Sequence, residues 1–130
     1  MNSKIQEFIE QNIELIDQEQ WISFWELAVI FFPNNLHVRE LAEVLSSAEI
    51  DTYTHRELLL LDQIYSVIAN LNGSNKNYKL ALSQFIGRIP LDRRFGFNLR
   101  EIQVLLLSKR DTLNCNLYSD KGGWTVVRNN

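Results

Sequence analysis

Apolar positions recur at helical spacing along most of the chain. Ile5, Phe8, Ile9, Ile13 and Ile16 fall three or four residues apart, with Glu7, Glu10 and Glu14 on the other side. Ser3 and Gln6 have capping-box spacing, so the pattern predicts a first amphipathic helix over residues 3–16. A second run carries Trp21, Phe24, Trp25, Ala28 and Val29 and must stop near Pro33, where the hydrogen-bond ladder loses a donor. Its apolar surface is too wide for one stripe. Asn34 or Asn35 can cap a third helix, with Val38, Leu41, Ala42 and Leu45 inward and Arg39, Glu40 and Glu43 outward. Thr54 with Glu57 opens a fourth, running to Leu71 and apolar on nearly all sides, which places it at the centre of a bundle.

Residues 72–77 contain no apolar side chain and make the clearest break in the chain. Beyond it the pattern predicts a fifth helix over 78–89, ended by Pro90, and a loop through Arg93, Arg94, Phe95, Gly96 and Phe97. Asn98 with Glu101 is a third capping box, opening a helix through Ile102 and Leu105 to Lys109 and Arg110. The period then changes to two: Leu113, Cys115 and Leu117 alternate with asparagines, turn residues follow at 119–123, and Trp124, Thr125, Val126 and Val127 are strand formers. The expected fold is mainly α, a single-domain bundle of about six helices with a C-terminal β-hairpin that leans on the helices.

Composition fits that picture: 130 residues with 45% hydrophobic side chains can bury a core without disulfides or metal. Cys115 is the only cysteine, and the expected compartment is a reducing cytoplasm. The first ten residues have no leader pattern. The longest apolar runs, among them 27–32 and 58–61, fall far short of the roughly 20 residues a membrane span needs.

Charge changes the picture more. Residues 1–71 hold three cations (Lys4, Arg39, Arg56) against twelve carboxylates, a balance of −9; residues 72–130 hold ten Lys/Arg against four carboxylates, a balance of +6. An acidic half and a basic half imply a charged partner. Catalytic chemistry is not implied. His37 and His55 have no cysteine or carboxylate at metal spacing and read as solvent-facing residues near helix starts. Cys115 on an alternating apolar face reads as a small core residue. Gly122 and Gly123 lack the strand, lysine and helix of a phosphate loop. Neither an enzyme nor a cofactor or metal site is expected.

Three blocks in the first third carry a family resemblance: Phe8 through Asp17, the aromatic cluster Trp21, Phe24 and Trp25, and Arg39 through Asp51 with Leu41, Val44, Leu45 and Ile50. Positions 5–51 resemble the helical leader segment of phage and Firmicutes proteins that often precedes BspA-like leucine-rich repeats. The resemblance implies a mobile-element origin and a helical protein-contact module. It brings no catalytic residue with it.

Two functions follow as expectations. One is a non-enzymatic protein-binding module of phage type, an inhibitor or modulator of a host nucleic-acid-handling complex such as a CRISPR effector. Its contacts would come from Glu7, Glu10, Glu14, Glu40 and Glu43, and a second copy of the chain is a further candidate partner. The alternative is a DNA-binding protein. The basic half resembles a winged helix in its order of elements, with Arg93, Arg94, Arg100, Lys109, Arg110 and Lys121 on phosphates.

Overall fold

The computed structural model describes residues 3–71 and 79–129. Mainly helical with a C-terminal hairpin, as the periodicity requires, it divides into two compact units. The first comprises Met1–Leu61 and Leu91–Gly96, the second Asp62–Pro90 and Phe97–Asn130. The boundary falls ten residues before the charge change, inside a helix, and the break expected at 72–77 lies outside the described residues.

In the first unit the chain forms α1 (Ser3–Gln11), α2 (Ile13–Asp17), α3 (Trp21–Phe31), α4 (Asn35–Ser47) and the start of α5 (Thr54–Ala69). The single helix expected over 3–16 is broken at Asn12, whose side chain donates to the Phe8 carbonyl at 2.9 Å and so competes for a backbone acceptor. Helix α3 ends at Phe31, two residues before Pro33. Asn34 is the α4 cap, its side-chain oxygen accepting from the Leu36 amide at 2.9 Å. Aromatic rings fill the interior: Phe8 lies 5.2 Å from Phe24 and 5.5 Å from Phe32, edge to face, and Phe24 lies 5.1 Å from Trp25.

The 3-10 turn Leu91–Arg93 and the residues after it belong to this unit. Arg56, 8% exposed, holds them: its Nε donates to the Thr52 carbonyl at 2.6 Å and its Nη1 to the Phe95 carbonyl at 2.8 Å, and its guanidinium lies 5.5 Å from the Trp25 ring centre. Arg39 donates to the Gly96 carbonyl at 3.1 Å, and the Gly96 amide donates to the Asn35 side chain at 2.7 Å. Arg39 is therefore not simply turned outward. Phe95 and Gly96 both adopt positive φ (51° and 86°), and a Cβ on Gly96 would come within 3.1 Å of the Arg39 amide nitrogen, so glycine is required there.

The second unit runs from the end of α5 through β1 (Lys79–Ala81), α6 (Leu82–Gly87), α7 (Leu99–Ser108), α8 (Arg110–Leu113), β2 (Cys115–Asp120) and β3 (Gly123–Arg128). The helix expected over 78–89 is corrected: among its described residues Lys79–Ala81 are a strand, and only Leu82–Gly87 is helical. Lys79, Leu80 and Ala81 pair antiparallel with Val127, Val126 and Thr125. The expected hairpin is thus two strands of a three-stranded sheet in the order β1-β3-β2. Leu117, Val126 and Cys115 bury one face of it. In chain order this unit therefore reads helix, strand, helix, helix, helix, strand, strand, with the last strand central in the sheet.

Trp21, Trp25, Leu60, Ile64 and Ile68 are all buried, the first three in the first unit and the last two in the second. Helix α5 is not buried on all sides, as a place at the centre of a bundle would require, since Leu58 and Tyr65 are 51% and 58% exposed. No helix among the described residues is long and apolar enough to cross a membrane.

Candidate functional site

In the basic unit, α7 is the best-anchored helix. Asn98 accepts from the Glu101 amide at 2.8 Å and Glu101 accepts from the Asn98 amide at 3.0 Å, the reciprocal box read from the sequence. Ile102, Leu105 and Leu106 are buried, which turns Leu99, Arg100, Val104 and Ser108 outward, with Gln103 and Leu107 at the margin. Short α8 and Asn114, in the left-handed conformation at φ 56°, turn the chain into β2. Residues 121 and 122 alone connect β2 to β3, and Lys121 is exposed at that turn.

By its own residues this unit holds eight Lys/Arg against four carboxylates. Of the six cations expected on a nucleic acid, Arg100, Arg110 and Lys121 are exposed here and Lys109 is half-buried. Arg93 and Arg94 are grouped with the acidic helices and half-buried, because the 91–96 segment is tied down by Arg39 and Arg56. Two exposed cations, Lys79 and Arg88, were not anticipated in this role. Arg128 is structural: its Nη1 donates to the Leu71 carbonyl at 2.8 Å and the Ala69 carbonyl at 3.2 Å, neutralising free acceptors at the end of α5. Lys79 also lines a shallow concavity of about 430 Å³ on the outer sheet face, with Gln84, Tyr118 and Thr125.

In the acidic unit, Glu7, Glu10, Glu14, Glu40 and Glu43 are all exposed. Glu10 accepts from Gln6 at 3.2 Å, Glu7 from Gln11 at 3.3 Å, and Glu43 pairs with Arg39 at 3.7 Å, all one helical turn apart. His37 and His55 are less exposed than expected. His37 stands edge-on to Phe32 at 6.1 Å, and His55 lines an open groove of about 530 Å³ with Ile16, Trp21, Glu19, Glu49 and Asp51. The Asp51 carboxyl is held below its ordinary range, first by the Thr54 hydroxyl at 2.6 Å and then by the Thr54 and Tyr53 amides, so it acts as an anchor for the start of α5. Among the described residues no three His, Cys, Asp or Glu side chains are grouped to hold a metal ion. Cys115 is 1% exposed, and burial pushes its thiol up to about 11, which leaves it a core residue rather than a nucleophile.

Helix α3 is where sequence reasoning missed a surface. Ile22, Leu27, Ile30 and Phe31 are 39%, 42%, 69% and 38% exposed. The signal was the excess width of its apolar pattern. No family model, curated protein or solved structure matches this chain.

Proposed function

We propose that the basic unit binds duplex DNA, with α7 and the β2–β3 turn against the phosphate backbone, and that the protein performs no chemistry on it. One observation carries this reading: β3 is central in a β1-β3-β2 sheet, within a unit whose Lys/Arg outnumber its carboxylates two to one. Fold alone does not imply function. The exposed cations Arg100 and Lys121, one in the first turn of α7 and one at the strand turn, supply the electrostatic term that dominates DNA affinity. Base reading is the weaker part. Of the exposed α7 residues only Arg100 and Ser108 have side chains that can hydrogen-bond a base edge, and a single bidentate arginine is worth about 1–3 kcal/mol of discrimination. Binding is therefore led by phosphate contacts and modestly selective for sequence.

The test is fluorescence anisotropy of a short labelled duplex at low salt. Arg100→Ala with Lys121→Ala should weaken binding by roughly tenfold, about 1.4 kcal/mol, or more. Arg93→Ala, in the other unit, should leave it unchanged. Absence of binding to any duplex at low salt overturns the reading, and so does a loss caused by Arg93→Ala alone.

A further inference from the structure

Helix α3 buries Trp21, Phe24, Trp25, Ala28 and Val29 and leaves on its opposite face four apolar residues beside Ser23 and Glu26. With 3.6 residues per turn, Ile22, Glu26 and Ile30 stack in one row and Ser23, Leu27 and Phe31 in the next, so Leu27, Ile30 and Phe31 form one exposed apolar strip and Ile22 extends it on the far side of Glu26. From Ile22 to Phe31 this face spans about 14 Å along the helix. Single exposed hydrophobic residues need no explanation, whereas a contiguous strip marks a contact surface. Phe31 also links it to the interior, its ring 5.2 Å from that of buried Phe8, so a molecule seated on the strip rests on a rigid floor.

The surrounding charge says what kind of molecule. Among the described residues of this unit, every exposed charged side chain except Lys4 is a carboxylate. Arg39 and Arg56 point their guanidinium groups at backbone carbonyls of the 91–96 segment, and Arg93 and Arg94 are half-buried. Helix α3 itself carries Glu26 and no Lys or Arg. Two copies packed α3 against α3 would bring both Glu26 carboxylates into one apolar seam without a cation on either helix, a costly burial.

We infer that the α3 strip is a docking site for an amphipathic helix of another protein, with apolar side chains on Ile22, Leu27, Ile30 and Phe31 and flanking Lys/Arg facing the carboxylate surface. Apolar anchors at helical spacing provide the affinity of such a contact, and the charged rim provides encounter rate and selectivity. This site is independent of the DNA reading, because no residue of the basic unit takes part.

The probes are three labelled synthetic helical peptides. The first has leucines at i, i+3, i+4 and i+7 flanked by lysines, the second the same leucines flanked by glutamates, and the third the same lysines with serine for leucine. The first should bind the wild-type chain, and the other two should bind roughly tenfold more weakly or worse. Leu27→Ser with Ile30→Ser removes apolar surface and no charge; it should weaken the first peptide by roughly tenfold or more while the melting temperature stays put, since both positions are exposed. Three results overturn the proposal: unaltered binding by the double variant, which leaves charge alone as the cause; equal binding of the glutamate-flanked peptide; or a wild-type dimer in sedimentation velocity that the double variant turns into a monomer, which makes a second copy the occupant.

Discussion

Arg56 shows how much one side chain can decide. It is a cation only 8% exposed, and it donates to two carbonyl oxygens, those of Thr52 and Phe95, and lies over the face of Trp25. Charge-assisted bonds to carbonyls satisfy the guanidinium and fix the 91–96 segment at the same time. Arg56→Met keeps much of the volume and leaves both carbonyls without that donor, so it should destabilise the protein by about 3 kcal/mol, since an unsatisfied buried acceptor costs about 1–3 kcal/mol. Urea unfolding measures it. Arg39→Met is the comparison: its side chain is 35% exposed and its bond to Gly96 is longer at 3.1 Å, so the loss should be clearly smaller. Equal losses would mean that burial of Arg56 carries no special weight.

At the scale of elements, the strand β1 is the instructive case. Lys79, Leu80 and Ala81 precede a helix, and three residues are too few to establish a period of two against one of 3.6. Their extended state comes from pairing with Thr125, Val126 and Val127, far along the chain. Pairing on both sides makes β3 central, so amide hydrogens at 125, 126 and 127 should all exchange slowly, because alternate residues of a central strand donate to neighbours on either side. Fast exchange at every second position would reduce the sheet to the two-stranded hairpin. The same scale explains Ile64, 0% exposed on α5: Ile64→Ala should cost about 2–5 kcal/mol in urea unfolding, and a loss below about 0.5 kcal/mol would place that face of α5 at the surface.

For the whole molecule, charge is the organising quantity. Grouped by contact rather than by position, the acidic unit holds twelve carboxylates against five Lys/Arg and the basic unit eight Lys/Arg against four carboxylates. The separation is therefore sharper in sequence than in space, because Arg93 and Arg94 sit with the carboxylates. That has a measurable consequence for DNA. With six phosphate contacts the logarithm of affinity would fall against the logarithm of salt with a slope near −5, at about −0.9 per phosphate. With the three exposed cations Arg100, Arg110 and Lys121 it should be about −3. A slope at the steeper value would add further cations to the interface, Lys79 and Arg88 or the 91–96 arginines.

What the sequence determined by itself was local and periodic. The Asn98 and Glu101 cap, an asparagine cap at 34 or 35, the burial of Trp25 and Cys115, and the β2–β3 hairpin all follow from spacing, capping chemistry or alternation, each of which acts within a few residues, whereas the start of α5 is held by Asp51 and not by the expected Thr54 and Glu57 box. The acidic and basic bias needed only counting. Tertiary structure decided the rest, because it rests on partners distant in the chain. Lys79, Leu80 and Ala81 become a strand only beside β3, Arg93 and Arg94 leave the basic surface only because Arg39 and Arg56 hold their loop, and one side of the broad apolar pattern of α3 stays exposed only because no element of this chain covers it among the described residues. Periodicity can mark a face as apolar; only the packed chain shows whether that face has found its cover.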